Sequence, residues 1–435
     1  MAHTFFSPAR LSDGLLVLSA IFIIGDWALS KLLSWLSLRN WSKPLPPELV
    51  TLYDAESYER AKQYAQIKFK LGMVRSTLSM GLAVTLLWFG GFGALDLLVR
   101  RHSDSAVLQS ELFFAILALA AFLVEVPFSA YDTFVIEQRF GFNKTSLRLF
   151  VVDTWKQILL GTLIGGAVIG SLCFLYESLG EKFWFFAWVL VTAISVTLSL
   201  LFCSVLLPIF NKLTPLGEGA LRNAIEQYAQ AVGFPLTNIY VMDGSKRSTK
   251  ANAFFSGIFQ KKDIVLYDNL LAELSAEEVT AVLAHEVGHY KRRHIMRSLA
   301  LSVAQTGIML YLFGLLSRSS VFAEMLGSDK ASFHLGLVGF SLLYSPLSTL
   351  SELLMNWLSR KHEYEADAFA RTTYGAAPLI EALKKMSRKH LSNLQPHAVD
   401  VFLRYSHPPL AARIGALQAP PANSSAQRSW HSEGA

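Results

Sequence analysis

The residues with the most pointed chemistry are His285, Glu286 and His289, in the stretch Leu283-Ala284-His285-Glu286-Val287-Gly288-His289-Tyr290. On a helix, positions i and i+4 share a face, so both imidazoles can reach a single metal ion. Glu286 follows His285 by about 100° around the helix axis. It would then sit beside the ion without ligating it, where a general base for a metal-activated water belongs. Helix is expected here because Ser275-Ala276-Glu277-Glu278 reads as an N-cap with acidic first-turn residues, and no proline follows until well past the motif. Five positions alone carry little weight, since two solvated histidines on a surface helix would give the same string.

A catalytic zinc takes three protein ligands and keeps a fourth position for water. His294 lies just downstream, but a metzincin pattern would need Gly where Arg292 stands and His where Ile295 stands. His294 is therefore expected to be a solvated or interfacial histidine in a basic cluster. The segment from Ser359 to Ala370 offers more. Glu363 and Asp367 are four apart, so one carboxylate could bind the ion while the other accepts from the far ring nitrogen of a ligand histidine. Glu365 would point the other way, into solvent. On spacing alone the plainer reading of Glu363 and Asp367 is a pair of ordinary helix-surface acids.

The elements that must carry these residues are set by an apolar composition. Of 435 residues, 52% are hydrophobic and only 17% charged, and the mean hydropathy is +0.36. That excludes an ordinary soluble protein. The net charge of +6 is spread over many short segments with no basic tail, which argues against nucleic acid as a partner and for membrane topology. Cys173 and Cys203, the two cysteines, lie inside apolar runs, so there is no disulfide framework.

Seven stretches are long and apolar enough to cross a bilayer as helices, near 15–36, 76–99, 107–130, 151–176, 183–209, 297–316 and 333–358. The first has Arg10 before it, Asp26 within it and no small-residue cleavage site, so it reads as a retained helix and not a signal peptide. Lys and Arg concentrate between spans one and two, three and four, five and six, and after seven. The positive-inside rule then places the N-terminus outside, with 210–296 and 359–435 both cytoplasmic. The HExxH segment and the acidic segment thus fall on the same side of the membrane.

Between the spans, Tyr53 to Lys70 reads as a charged amphipathic helix lying on the cytoplasmic surface. Asp26, Glu111, Glu125, Asp153 and Glu352 are costly in lipid and should face protein, water or the headgroups. Leu207 to Leu216 is a turn-rich exit from the membrane. Residues 218–233 look helical, and short β-like runs follow at Asn238–Met242, Ala253–Phe255 and Ile264–Tyr267. Past residue 418 the Pro-, Ser- and Ala-rich tail is expected to be disordered.

Three separated segments occur in order: His285-Glu286-x-x-His289, Ser359-Arg360-x-x-Glu363-Tyr364-x-Ala366-Asp367, and Tyr405-Ser406-His407-Pro408-Pro409. Together they resemble the type I CAAX prenyl endopeptidases, integral-membrane zinc metalloproteases of the M48 class. The loop Phe134 to Lys144, the exit Pro208-Ile209-Phe210-Asn211-Lys212, and Gly244 to Ser248 with Asn252-Ala253-Phe254 share the likeness, which spans residues 50–415. The resemblance implies an all-α polytopic protein with seven transmembrane helices around a large intramembrane chamber. A zincin-type catalytic domain with a small β-unit would be added to it. The expected division is an N-terminal membrane region 1–209, an M48-type metallopeptidase domain 210–418 containing spans six and seven, and the tail 419–435.

The resemblance also implies roles. His285, His289 and Glu363 would bind one zinc per chain, and Glu286 would activate water. Asp367 matches an acid beside the site that is sometimes described as a proton donor, and His407 matches a group that stabilises the oxyanion. Asn252 and Ala253 match a segment holding an extended substrate by strand addition, and Arg413 matches an arginine near the site. The implied partners are a peptide or protein substrate, with or without a prenyl group, and the lipid bilayer. Two departures, the short outer loop 317–332 and a C-terminus without a dilysine signal, point to a prokaryotic cytoplasmic membrane over the endoplasmic reticulum. They also put the prenylated substrate in question.

Two other classes fit less well. An intramembrane-cleaving protease should carry its HExxH inside an apolar span, whereas this one runs into Lys291-Arg292-Arg293-His294. A transporter with a structural zinc would need four protein ligands, and no cysteine or fourth acid stands in a suitable motif. The topology is directly testable: a reporter fused at residue 325 should read as external, and a cytoplasmic reading there would overturn the orientation.

Overall fold

The structure, a computed structural model, describes residues 8–45, 49–50, 52–256 and 262–419. Helix α1 (Pro8–Arg39) is followed by α2 (Ala55–Trp88), α3 (Gly91–His102), α4 (Ala106–Tyr131), α5 (Leu147–Leu179), α6 (Phe183–Leu201) and the short α7 (Leu207–Phe210). Asp54, Ser105 and Ser146 cap α2, α4 and α5 by accepting backbone N–H groups of their first turns. Among the described residues six continuous helical stretches are long and apolar enough to cross a membrane. The fourth, Leu147–Phe210, holds both α5 and α6, separated by the tight turn Gly180–Lys182. Leu123, Leu163, Ile308 and Leu350 remain exposed, as an apolar face toward lipid requires.

Three expectations need correction. Tyr53 to Lys70 is not a separate surface helix; from Ala55 it is the first half of α2, which runs unbroken into apolar sequence. The chain there contains no helix breaker, and Tyr64 and Lys68 find partners in Glu137 and Asp132 of the π-helical turn that prolongs α4, so the segment expected as a loop from Phe134 to Lys144 is helical as far as Arg139. The second span is also not continuous over 76–99, because α2 ends at Trp88 and α3 starts after Gly90, whose φ of 65° is a left-handed turn.

The ionisable residues of the spans are mostly accommodated. Asp153, buried at the start of α5, receives Arg247 Nε at 2.7 Å, and Arg247 also donates to Asn211 Oδ1 and Phe210 O. Glu125 pairs with Arg75 at 2.8 Å. Asp26 lines a cavity of about 600 Å³ between α1, α2 and α13, defined below. Glu111 lies against Gly170, while Glu352 is exposed.

The rest of the chain builds the unit that carries the HExxH helix. It contains β1 (Leu213–Pro215), α8 (Ala220–Ala231), β2 (Leu236–Met242), β3 (Ala253–Ser256), β4 (Lys262–Tyr267), α9 (Asp268–Glu273) and α10 (Ala276–Lys291). Then follow α11 (His294–Leu316), α12 (Ser320–Met325), α13 (Phe333–Thr373), α14 (Ala376–Lys389), α15 (Ala398–Arg404) and α16 (Leu410–Gln418). The sheet order is β1-β2-β4-β3, with β2 and β4 parallel and both outer pairs antiparallel. Strand β1 was not expected, since Thr214-Pro215 has no alternating pattern; it forms because β2 offers an edge, and Pro215 sits where an edge strand tolerates it. One apolar core joins Ile225 of α8, Ile239 and Ile264 of the sheet, Leu283 and Val287 of α10, and Leu379 of α14. The tail expected at 419–435 lies, from residue 420 on, outside the described residues.

At the other end of the bundle a buried polar cluster ties α3, α4, α13 and the turn after α12. His334 Nε2 lies 2.8 Å from Asp96 Oδ1, Ser328 Oγ donates to Asp96 at 2.8 Å, Arg100 Nε donates to it at 2.9 Å, and His334 Nδ1 is 3.1 Å from Ser110 Oγ. Asp96 is completely buried, so its removal would leave these partners without their acceptor. Asp96→Ala should therefore cost about 3 kcal/mol of stability, read as a lowered unfolding temperature in detergent. His334 and Glu363 are separated along α13 by roughly 40 Å at 1.5 Å per residue, so metal retention by the surviving folded protein should be unchanged.

Candidate metal centre

The register of α10 is set at its first turn by a capping box. Ser275 Oγ accepts from the Glu278 N–H at 3.2 Å, and Glu278 Oε2 accepts from the Ser275 N–H at 2.8 Å. Lys385 of α14 donates to the same carboxylate at 2.8 Å. Burial pushes the Glu278 carboxyl up, but the hydrogen bonds and charge of Lys385 and the Ser275 N–H outweigh it and hold it below the usual carboxylate range. From this start, His285 and His289 fall on the face of α10 that packs on α13.

That packing depends on Gly288. A Cβ there would stand 2.9 Å from Ala366 Cα and 3.0 Å from Ala366 O, so only glycine lets the two backbones come this close. Ala366 lies between Glu363 and Asp367 and is itself completely buried. The close approach brings the two histidines of α10 against the two acids of α13. His285 Nε2 and His289 Nε2 are 3.1 Å apart, and they lie 3.6 Å and 3.3 Å from the Glu363 carboxylate. One ligand atom from each of His285, His289 and Glu363 lies within 4.8 Å of the others.

The remaining expected residues surround this cluster. Asp367, almost fully buried, has Oδ1 2.8 Å from His285 Nδ1, and this leaves Nε2 to face the cluster. Arg413 of α16 donates to both Asp367 oxygens, from Nε at 2.9 Å and Nη2 at 2.7 Å, and its Nη1 lies 3.3 Å from Glu363 Oε2. Glu286 is half-buried, and its charge bears on both His289 and Arg413. His407 is largely exposed, with Nε2 3.4 Å from Glu363 Oε1 and Nδ1 3.0 Å from Ser406 Oγ. Asn252 immediately precedes β3, which among the described residues lies at the end of the sheet with β4 as its one neighbour, and its Oδ1 accepts the Ala253 N–H at 2.9 Å.

Two expectations fail here. Glu365 does not point into solvent; its Oε2 lies 3.0 Å from His294 Nε2. His294 is not a solvated histidine of the basic cluster, since only 3% of it is exposed. The cause is the turn after α10, which folds His294 back under His289. Sequence reasoning also missed Arg360, whose guanidinium donates to the carbonyls of Val401, Phe402 and Tyr405. It thereby pins the loop carrying His407 to α13. The quoted Ser359-Arg360 motif marked the position but not the partner.

The donor set suits a zinc ion. It offers two imidazole nitrogens and a carboxylate converging from two rigid helices, and Glu363 Oε2 is a buried oxygen that no hydrogen bond satisfies. Carried by a bundle of apolar helices, such a centre is that of a membrane metallohydrolase. Residues 35–212 match the family described as CAAX prenyl protease N-terminal, five membrane helices, and residues 215–420 match peptidase family M48. CAAX prenyl protease 1 of Saccharomyces cerevisiae is 33% identical over 414 residues, covering 88% of this chain and 91% of the relative. The Homo sapiens homologue is 32% identical over 420 residues, with 86% and 88% covered. The crystal structure of S. mikatae Ste24p superposes with a TM-score of 0.87 at 31% identity, covering 93% of this chain and 99% of that one. The chain belongs to the M48 peptidases of the CAAX prenyl protease 1 type, and it is a multi-pass integral-membrane metalloendopeptidase.

The α10–α13 contact is open to test. Gly288→Ala should force the helices apart, lower stability by about 1–3 kcal/mol and reduce the zinc content of the purified protein. Wild-type zinc with an unchanged unfolding temperature would mean that the close approach does not hold the centre together.

Proposed function

We propose that the chain cleaves peptide bonds with a zinc ion held by His285, His289 and Glu363, on the cytoplasmic side of the membrane, and that its substrates are prenylated CAAX-type proteins. The observation that carries this reading is the convergence of three ligand atoms from α10 and α13, with Asp367 and Arg413 fixing the ring of His285. When bound, zinc supplies polarisation of the scissile carbonyl and brings the pKa of water down towards about 7.

The residues of the chain do the rest. Glu286 takes the proton of the attacking water and passes it to the leaving amine. His407, held by its loop near Glu363, donates to the oxygen on which negative charge develops. Asp367 accepts from His285 Nδ1 and is itself neutralised by the bidentate Arg413, so it keeps the histidine in one tautomer. Asn252 leads into β3, whose first residue is Ala253 and whose edge is able to take an extended peptide by backbone hydrogen bonds. That strand is steadied from behind, where Asn269 Nδ2 donates to the carbonyls of Ser248 and Lys250, and Lys250 pairs with Glu137. The Phe134 to Lys144 segment is thereby joined to the substrate side, which gives its part in the family likeness a physical role.

Comparison of the purified wild type with Glu286→Ala tests the mechanism, using a farnesylated CAAX peptide and the same peptide without its lipid. Glu286→Ala should retain zinc and lose about 10²–10⁴-fold in rate, while the wild type should favour the lipidated peptide. Substantial cleavage by Glu286→Ala would end the general-base assignment. Equal cleavage of both peptides by the wild type would replace CAAX processing with a general role in membrane-protein turnover.

A further inference from the structure

His294 opens α11 only three residues after α10 ends, and the turn between them passes through Arg293. Arg293 has φ 57° and ψ 34°, a left-handed conformation that costs a non-glycine residue roughly 1–2 kcal/mol. This turn returns the chain on itself and lays the His294 ring beside His289, with the two Nδ1 atoms 3.0 Å apart. On its other side, His294 Nε2 lies 3.0 Å from Glu365 Oε2, and Arg297 Nη1 approaches the same oxygen at 3.6 Å. His362 stacks on the imidazole with centroids 4.0 Å apart and planes 10° from parallel, which sets the tilt of the ring.

With Glu365 ionised and His294 neutral, one arrangement of protons satisfies both hydrogen-bond contacts of His294. An ionised Glu365 only accepts, so the Nε2–H of His294 donates to it. The Nδ1 of a neutral His294 then carries a lone pair and accepts from the Nδ1–H of His289. That leaves the Nε2 lone pair of His289 facing His285 and Glu363. Any other arrangement would turn a proton of His289 into the space between the three ligand atoms.

We propose that His294 and Glu365 are positioning residues that hold His289 in its metal-binding tautomer and orientation, as Asp367 does for His285. The inference rests on the reading of His285, His289 and Glu363 as the zinc ligands. The two histidines of the motif are then held by unlike partners, one by a carboxylate clamped by Arg413 and the other by a second histidine backed by a carboxylate. It follows that a fourth imidazole close to the centre serves it without being a ligand.

The test is the zinc affinity of the full-length protein in detergent, by competition with a chromophoric chelator. The set is wild type, His285→Ala, His294→Phe, His294→Asn and Glu365→Ala. His294→Phe keeps the ring and its stack on His362 but offers no acceptor, and should weaken zinc about 10–100-fold. His294→Asn packs worse but can place its amide oxygen near the position of Nδ1, and should recover most of that loss. Glu365→Ala should weaken binding in the same direction. If His294→Phe binds zinc as tightly as wild type, or better than His294→Asn, while His285→Ala loses it, the relay is overturned and the metal site stands. If His285→Ala also keeps its zinc, the site reading fails and the relay with it. Wild-type affinity in Glu365→Ala alone would remove Glu365 from the proposal and overturn it as a two-residue device.

Discussion

Everything about the centre depends on how closely α10 can lie on α13. Neither helix alone presents more than a pair of polar side chains at i, i+4, which an isolated surface helix would leave in water. The contact of Gly288 with Ala366 removes that water and turns two ordinary pairs into one enclosed set. The capping box at Ser275 and the long reach of α13 supply the register and rigidity that the contact needs.

The second constraint is electrostatic. Glu363, Asp367 and Arg413 are all buried to within a tenth of their surface, and burying any one of them alone would be strongly unfavourable. They are tolerated because Arg413 spans both acids and His285 and His289 face them. Glu363 Oε2 remains the exception, buried without a hydrogen bond at the point where a cation would complete the set. A similar logic operates far away at Asp96 and His334, where the buried carboxylate finds its partners among protein side chains and the cluster serves to tie helices together.

Much of this was legible in the sequence, for identifiable reasons. His285 with His289, and Glu363 with Asp367, follow from helical periodicity, and the apolar stretches follow from composition. The long charged half of α2 was misread because its Tyr and Lys residues look solvated until the π-helical end of α4 at Asp132 and Glu137 is folded against them. His294 and Glu365 were misread for a related reason. The four basic residues around His294 suggest a surface, and nothing local reveals that a left-handed Arg293 will fold it beneath His289. Gly288 was visible as a residue but not as a contact, since its partner lies 78 positions away in α13.

The central claim is that one zinc ion sits between α10 and α13, and crystals of the purified protein measured on both sides of the zinc absorption edge test it most directly. The account predicts a single anomalous peak per chain, about 2.0–2.2 Å from Nε2 of His285, Nε2 of His289 and a carboxylate oxygen of Glu363. A peak centred instead on His294 and Glu365, or no zinc signal in active protein, would contradict it.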